Sequence, residues 1–297
     1  MTTARYQSII QRIENGEKIL IDGATGTECE RRGAPQVMNT WNTGATLSHP
    51  EIVRQIHEDY IEYGAEIIIT NTFSSSRHAL RSAGIEHKFE ELTNESVRLA
   101  QLARANSGKS DVLIAGGITH WIWTENKPSM EELEVNSRDQ AVLMANAGCD
   151  LIMLEMLINI DRLRACIDGA QASGLPVWVG LSVEPVNGEM CLLDGESLVD
   201  AVAVLVEKNV PLVNIMHTEV EHIDRCLDIL EKYWNGATGV YAHVCEFEET
   251  GEAIYDDTIS PTDYADAARR WMDRGVQVIG GCCGVRKEHI CALQQIV

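Results

Sequence analysis

The sequence predicts a (β/α)8 TIM barrel that spans residues 1–297 as a single domain. Three observations predict it. Short β-branched runs alternate with longer helical patterns almost from end to end, eight times in all, as parallel β/α units do. Four helical stretches enter the next strand through a glycine, in Tyr63-Gly64-Ala65-Glu66, Ala147-Gly148-Cys149-Asp150, Ala172-Ser173-Gly174-Leu175 and Asp273-Arg274-Gly275-Val276. A left-handed residue ends a helix at such a point. The composition is that of an ordinary globular chain, 45% hydrophobic and 23% charged, and no Pro/Ser-rich or charge-run linker divides it. A doubly wound open sheet is the alternative.

In order, strands are expected at Lys18 to Asp22, Ala65 to Thr70, Val112 to Ala115, Asp150 to Glu155, Val177 to Ser182, Leu212 to Met216, Gly239 to His243 and Val276 to Ile279. Each is a short β-branched run, the composition that fits a pleated surface. Helices are expected at Pro50 to Tyr63, Glu90 to Ala105, Met130 to Ala147, Ile160 to Ser173, Gly195 to Glu207, Val220 to Tyr233 and Thr262 to Arg274, with a helix-like tail from Val285 to Val297. A barrel of this kind places its active site at the C-terminal ends of the strands. Those ends read Asp22-Gly23-Ala24-Thr25-Gly26-Thr27-Glu28, Thr70-Asn71-Thr72-Phe73, Gly116-Gly117-Ile118-Thr119-His120, Glu155, Ser182 to Glu184, Asn214 to His217, His243 to Cys245 and Cys282-Cys283. Any one of them is ordinary turn chemistry. Together they crowd one end of the barrel with ligand-type side chains.

Charge narrows the partners. With 45 Asp+Glu against 24 Lys+Arg the formal net charge is −21, which repels phosphate backbones and anionic headgroups. Nucleic acid and membrane partners are therefore not expected, and small molecules are. The first residues lack a charged and then apolar leader, and no apolar run approaches the length of a membrane span, so a cytoplasmic protein is expected. Nine scattered cysteines fit a reducing compartment better than a disulfide framework.

The most informative stretch is Gly280-Gly281-Cys282-Cys283-Gly284, after the run Val276 to Ile279. Adjacent cysteines can be buried filler, a vicinal disulfide or a redox pair. Here the flanking glycines free the backbone to turn both sulfurs toward one point. That is what thiolate ligands of zinc require.

With these residues in view, the chain resembles the zinc-dependent homocysteine S-methyltransferases. The resemblance rests on Ile21-Asp22-Gly23-Ala24-Thr25-Gly26-Thr27-Glu28, His49-Pro50-Glu51, Thr70-Asn71-Thr72-Phe73, Glu155, Val213-Asn214 and Gly280-Gly281-Cys282-Cys283-Gly284. It implies zinc as cofactor and transfer of a methyl group from a small sulfonium or quaternary ammonium donor to homocysteine, giving methionine. It also implies roles for residues. Asp22 and Glu155 are the catalytic carboxylates that bind the homocysteine amino group, with the backbone of Gly23 and Ala24 near it and Thr70 beside it. Asn214 borders the metal, Cys282 and Cys283 are two of its ligands, and Trp41 packs against the donor, as a tryptophan face can hold an onium cation.

The departures from the family pattern are specific. The family's third metal cysteine follows the sixth-strand asparagine directly, whereas Asn214 is followed by Ile215-Met216-His217. His217 supplies an imidazole ligand in its place, or Cys245 moves in, or the metal is lost. After the third strand, a Gly-Pro turn of the family is replaced by Gly117-Ile118-Thr119-His120-Trp121-Ile122-Trp123, where Trp121 or Trp123 could complete an aromatic donor pocket. The C-terminal extension that carries oligomer contacts in the betaine enzymes has no counterpart here, so the oligomeric state stays open. Two other functions compete: a metal-free thiol- or amino-acid-binding homologue, and a metal-dependent barrel enzyme of another reaction class.

Overall fold

A computed structural model describes residues 3–35, 40–121, 127–247, 253–254 and 259–297. Eight parallel strands make one sheet: β1 (Ile19–Leu20), β2 (Ile67–Ile69), β3 (Leu113–Ile118), β4 (Leu151–Leu157), β5 (Val177–Leu181), β6 (Leu212–Glu219), β7 (Ala237–His243) and β8 (Val278–Ile279). From β2 on, each pairs with the next in sequence, and β8 pairs with β1. A parallel bridge from Ile21 to Ile67 closes the ring, so the sheet is a barrel and the open-sheet alternative is excluded.

The alternation of side chains divides the core in two. Leu20, Ile68, Ile114, Ile152, Val179, Val213 and Val240 face outward into a layer covered by the helices. Ile19, Ile67, Leu113, Leu151, Trp178, Leu212 and Val278 fill the inside. Each such Ile or Leu, fully removed from water, is worth about 1.5–3 kcal/mol. The N-terminal helix Ala4–Glu14 adds Tyr6, Ile9 and Ile13 to the inner cluster and so stoppers that side of the barrel. The Trp178 indole donates to the Tyr6 hydroxyl at 3.1 Å, and Arg5 pairs with the buried Asp150. With one end filled, the cavity lies at the other, among the strand C-termini.

The expected helices are present within three residues of their bounds; the one expected from Gly195 starts at Leu198. Glu189–Leu192 pairs antiparallel with Val183–Val186 in a hairpin after β5, and Gly195, at φ +90°, turns before the helix begins. Gly64, Gly148, Gly174 and Gly275 all adopt positive φ, as helix-ending glycines should. The helices Ala4–Glu14 and Thr25–Arg31 were not expected. The second follows β1 directly, and its Thr25-Gly26-Thr27 start has the composition of a loop. Among the described residues no helix is long and apolar enough to cross a membrane.

Candidate metal centre and substrate cavity

The turn after β8 is fixed by packing that only glycine permits. A Cβ on Gly280 would stand 2.2 Å from Ile21 Cγ1, and one on Gly281 2.1 Å from Val285 Cγ1. The backbone is pinned as well: Cys282 N–H donates to Ala242 O at 2.9 Å and Val244 N–H to Cys283 O at 2.9 Å. These constraints hold both cysteine side chains at the cavity wall, with their sulfurs 3.8 Å apart.

His217 completes the cluster. Its Nδ1 lies 3.8 Å from Cys282 Sγ, and the ligand atoms of His217, Cys282 and Cys283 all fall within 4.8 Å of one another. Tetrahedral zinc with Zn–S near 2.3 Å and Zn–N near 2.0–2.1 Å needs edges of roughly 3.6–3.8 Å. The three side chains therefore fit a zinc ion that keeps a fourth position for substrate. Cys245 is not a member of this group; its Cβ lies 2.9 Å from where a Cβ on Gly284 would be.

The thiol protons are shared unequally. Hydrogen bonding from Cys283, with further help from His217, holds Cys282 well below the ordinary thiol range. Its neighbour goes the other way: hydrogen bonds to Cys245 and Cys282, together with burial, push Cys283 well up. Of the two, Cys282 is the readier to lose its proton, and a divalent cation bound by both would displace the protons of both.

His217 reaches the site through an irregularity. The pairing of β6 with β7 shifts register between Met216 and Glu219, and His217 takes φ +44°, a left-handed conformation that histidine tolerates better than most residues. Ile215 is buried in the outer layer against the helices, facing away from the cluster. Beside His217 stands His243, its ring centroid 5.0 Å away; burial and the adjacent His217 push His243 down to about 3, so it is neutral.

Over the cysteines opens a cavity of about 440 Å³. Of the residues singled out in the sequence, Gly23, Ala24, Thr70, Trp41, Trp121 and Glu155 line it. Glu155 projects from β4 opposite Gly117, where a Cβ would come within 2.6 Å of its Oε2. Burial, then the fields of Cys282 and Asp22, push its pKa well above the usual carboxylate range. Thr70 Oγ1 accepts from Gly117 N–H at 3.3 Å and contacts Thr72 Oγ1 at 2.7 Å, which ties β2 to β3 beside Glu155.

Two expected residues stand behind the wall rather than in it. Asp22 is buried and does not border the cavity; its Oδ2 accepts from Ile69 N–H at 2.8 Å, and burial pushes its pKa well up in spite of that bond. Asn214 lies inside the barrel, its Nδ2 3.5 Å from Met153 Sδ and its Oδ1 without a partner among the described residues, in space left by Gly239, where a Cβ would be 2.0 Å from that oxygen.

The aromatic wall depends on another glycine. Trp41 has φ +48°, and its indole lies against Gly26, where a Cβ would be 2.2 Å from Nε1. Asn42 Nδ2 donates to Gly26 O at 2.7 Å and Asn71 Nδ2 to Asn42 O at 2.9 Å, so the Trp41 turn is tied to both β1 and β2 loops. Trp123 falls outside the described residues. Phe73, Met156, Met216 and Tyr241 also line the cavity. Sequence reasoning did not single them out; only inward alternation on β6 and β7 marks Met216 and Tyr241.

Comparison with known proteins agrees with this geometry. The family model described as Homocysteine S-methyltransferase matches residues 19–297. The chain is 25% identical to the S-methylmethionine–homocysteine S-methyltransferase BHMT2 of Pongo abelii, over 97% of this chain and 81% of that protein. It is 24% identical to the homocysteine S-methyltransferase YbgG of Bacillus subtilis, over 92% of each. The metallated form of the homocysteine methyltransferase MmuM from Escherichia coli has the same fold, with a TM-score of 0.80 at 24% identity over 97% of this chain and 99% of that one. From β1 to the C-terminal helix, the chain belongs to the homocysteine S-methyltransferase family.

Proposed function

We propose that the protein methylates homocysteine from a small onium donor, with zinc held by His217, Cys282 and Cys283. The observation that carries this reading is the convergence of one imidazole nitrogen and two sulfurs, at edges suited to zinc, on the wall of a cavity that also holds a buried carboxylate and two tryptophans. Zinc bound there supplies a Lewis acid that keeps a thiol deprotonated at neutral pH.

The chain's own residues do the rest. Glu155, backed by Asp22, receives the ammonium group of homocysteine, because a buried carboxylate without a protein cation beside it is relieved by a ligand cation. Trp41 and Trp121 offer aromatic faces to a sulfonium or quaternary ammonium centre. No lysine or arginine lines the cavity among the described residues, which suits a cationic donor. In the reaction a thiolate and an onium ion become a thioether and a neutral leaving group, so both charges vanish. The mostly apolar walls exclude the water that would otherwise stabilise the separated charges.

The test is metal analysis of the purified protein followed by methionine formation from homocysteine with a panel of sulfonium and quaternary ammonium donors. About one zinc per chain and turnover with at least one such donor are expected. Zinc-replete protein that turns over none of them would end this reading.

A further inference from the structure

One polar atom on the cavity wall has no use in the free protein. Tyr241 on β7 is 1% exposed and lines the cavity, and its hydroxyl is buried with no hydrogen-bond partner among the described residues. Room for it is made on β5, where a Cβ on Gly180 would stand 2.7 Å from Tyr241 Oη and 2.7 Å from Met216 Sδ. The ring thus crosses β6 and brings its oxygen to the β5 side of the barrel, next to the strand that carries Glu155. The ionisable groups acting on it, Glu155, Cys282 and Asp22, are all acidic. A hydroxyl left without a protein partner in such a place is costly, and a donor on a bound ligand relieves that cost.

We infer that Tyr241 Oη is the third hydrogen-bond acceptor for the ammonium group of the acceptor substrate, beside the two oxygens of Glu155, and that it makes the site select a free primary amine. The inference rests on the reading of the cavity as a homocysteine site. A primary ammonium carries three N–H donors. Glu155 alone of the two carboxylates borders the cavity and takes two of them with its two oxygens, while Asp22 stands behind the wall with one oxygen engaged by the Ile69 amide. The third N–H would be buried unpaired without a further acceptor. A tyrosine oxygen can accept it while its own O–H turns toward a carboxylate.

The test uses zinc-loaded wild type and Tyr241→Phe, with calorimetric binding of homocysteine and of N-methylhomocysteine, whose ammonium has one N–H fewer. Wild type is expected to prefer homocysteine about ten-fold or more, the value of a hydrogen bond to a charged group. Tyr241→Phe should lose most of that preference, keep its zinc and melt no lower than wild type when free, because the orphaned hydroxyl is gone. An unchanged preference, an equal loss for both ligands, or loss of zinc from the variant overturns the inference while leaving the function intact. If wild type binds no homocysteine at all, the functional reading fails and the inference goes with it.

Discussion

Replacing Glu155 by glutamine probes the acceptor site most directly, because the structure sets both the direction and the size of the effect. Glu155 is 9% exposed, Gly117 leaves space at its Oε2, and burial with the fields of Cys282 and Asp22 raises its pKa well above 4.5. Its folded form therefore holds the proton more tightly than the unfolded chain does. Stability from this group is present in full below its unfolded pKa and is lost as pH rises through the folded one. Glutamine keeps the shape and does not titrate. The metal-free variant should thus match wild type in acid and exceed it in melting temperature toward neutral and alkaline pH. Binding moves the opposite way. A hydrogen bond between a carboxylate and an ammonium is worth about 1.5–3 kcal/mol, so homocysteine should bind about ten- to a hundred-fold more weakly. In wild type its affinity should also fall as pH drops through the raised carboxyl pKa, a branch that glutamine should flatten. Calorimetric titration across pH, with zinc content measured on the same samples, reads all of this. Unchanged homocysteine affinity, or loss of zinc in the variant, would refute the assignment.

Three further outcomes are expected. Changing Cys282 and Cys283 together to serine should reduce zinc from about one per chain to near none, since two of the three converging ligand atoms are gone; full occupancy would sink the metal centre. His217→Asn should also strip the metal, asparagine being chosen because it tolerates the positive φ that alanine would strain, whereas Cys245→Ala should retain it; zinc loss only in the Cys245 variant would move the third ligand to the turn after β7. Trp41→Leu should raise the KM for the donor about two- to thirty-fold, from a cation–π energy of about 0.5–2 kcal/mol, with little change for homocysteine; equal activity of wild type with a neutral methyl donor would contradict the cation pocket.

The sequence carries some parts of this protein plainly and hides others for physical reasons. The alternation of β-branched runs with helices, punctuated by Gly64, Gly148, Gly174 and Gly275, encodes the barrel locally, and every one of those glycines has positive φ. The cysteine pair is legible because both sulfurs come from one turn, whose glycines let it pack tightly against Ile21 and Val285. Asp22 and Glu155 are legible only as strand ends; whether a carboxylate faces the cavity or the wall behind it depends on what the next strand offers, and Ile69 N–H draws Asp22 away. Tyr241 stays hidden, since its place is decided by a glycine on β5, far away in sequence.

The same limit explains His217, and from it follows how the centre is built. Regular alternation with Met216 inward would put residue 217 outward, under the helices. The extra residue in β6 resets that parity, so the imidazole comes from a position that period-two reading assigns to the wrong face. A matching irregularity lies in β4, between Leu154 and Leu157, where Met156 has φ +53°. The two are joined, because Met156 N–H, freed from the sheet ladder, is 2.9 Å from Met216 Sδ. Among the described residues five other than glycine have positive φ, and the three that line the cavity are Trp41, Met156 and His217, the others being Asn187 and Asn209. Such backbone costs about 1–3 kcal/mol per residue and persists where the surroundings enforce it. In this barrel it is found where the chain aims Trp41, Met156 beside Glu155, and the His217 imidazole at one cavity. Glu155 and His217 are thereby set by a single pair of coupled bulges, so a change that relaxes either bulge should disturb acceptor binding and metal affinity together.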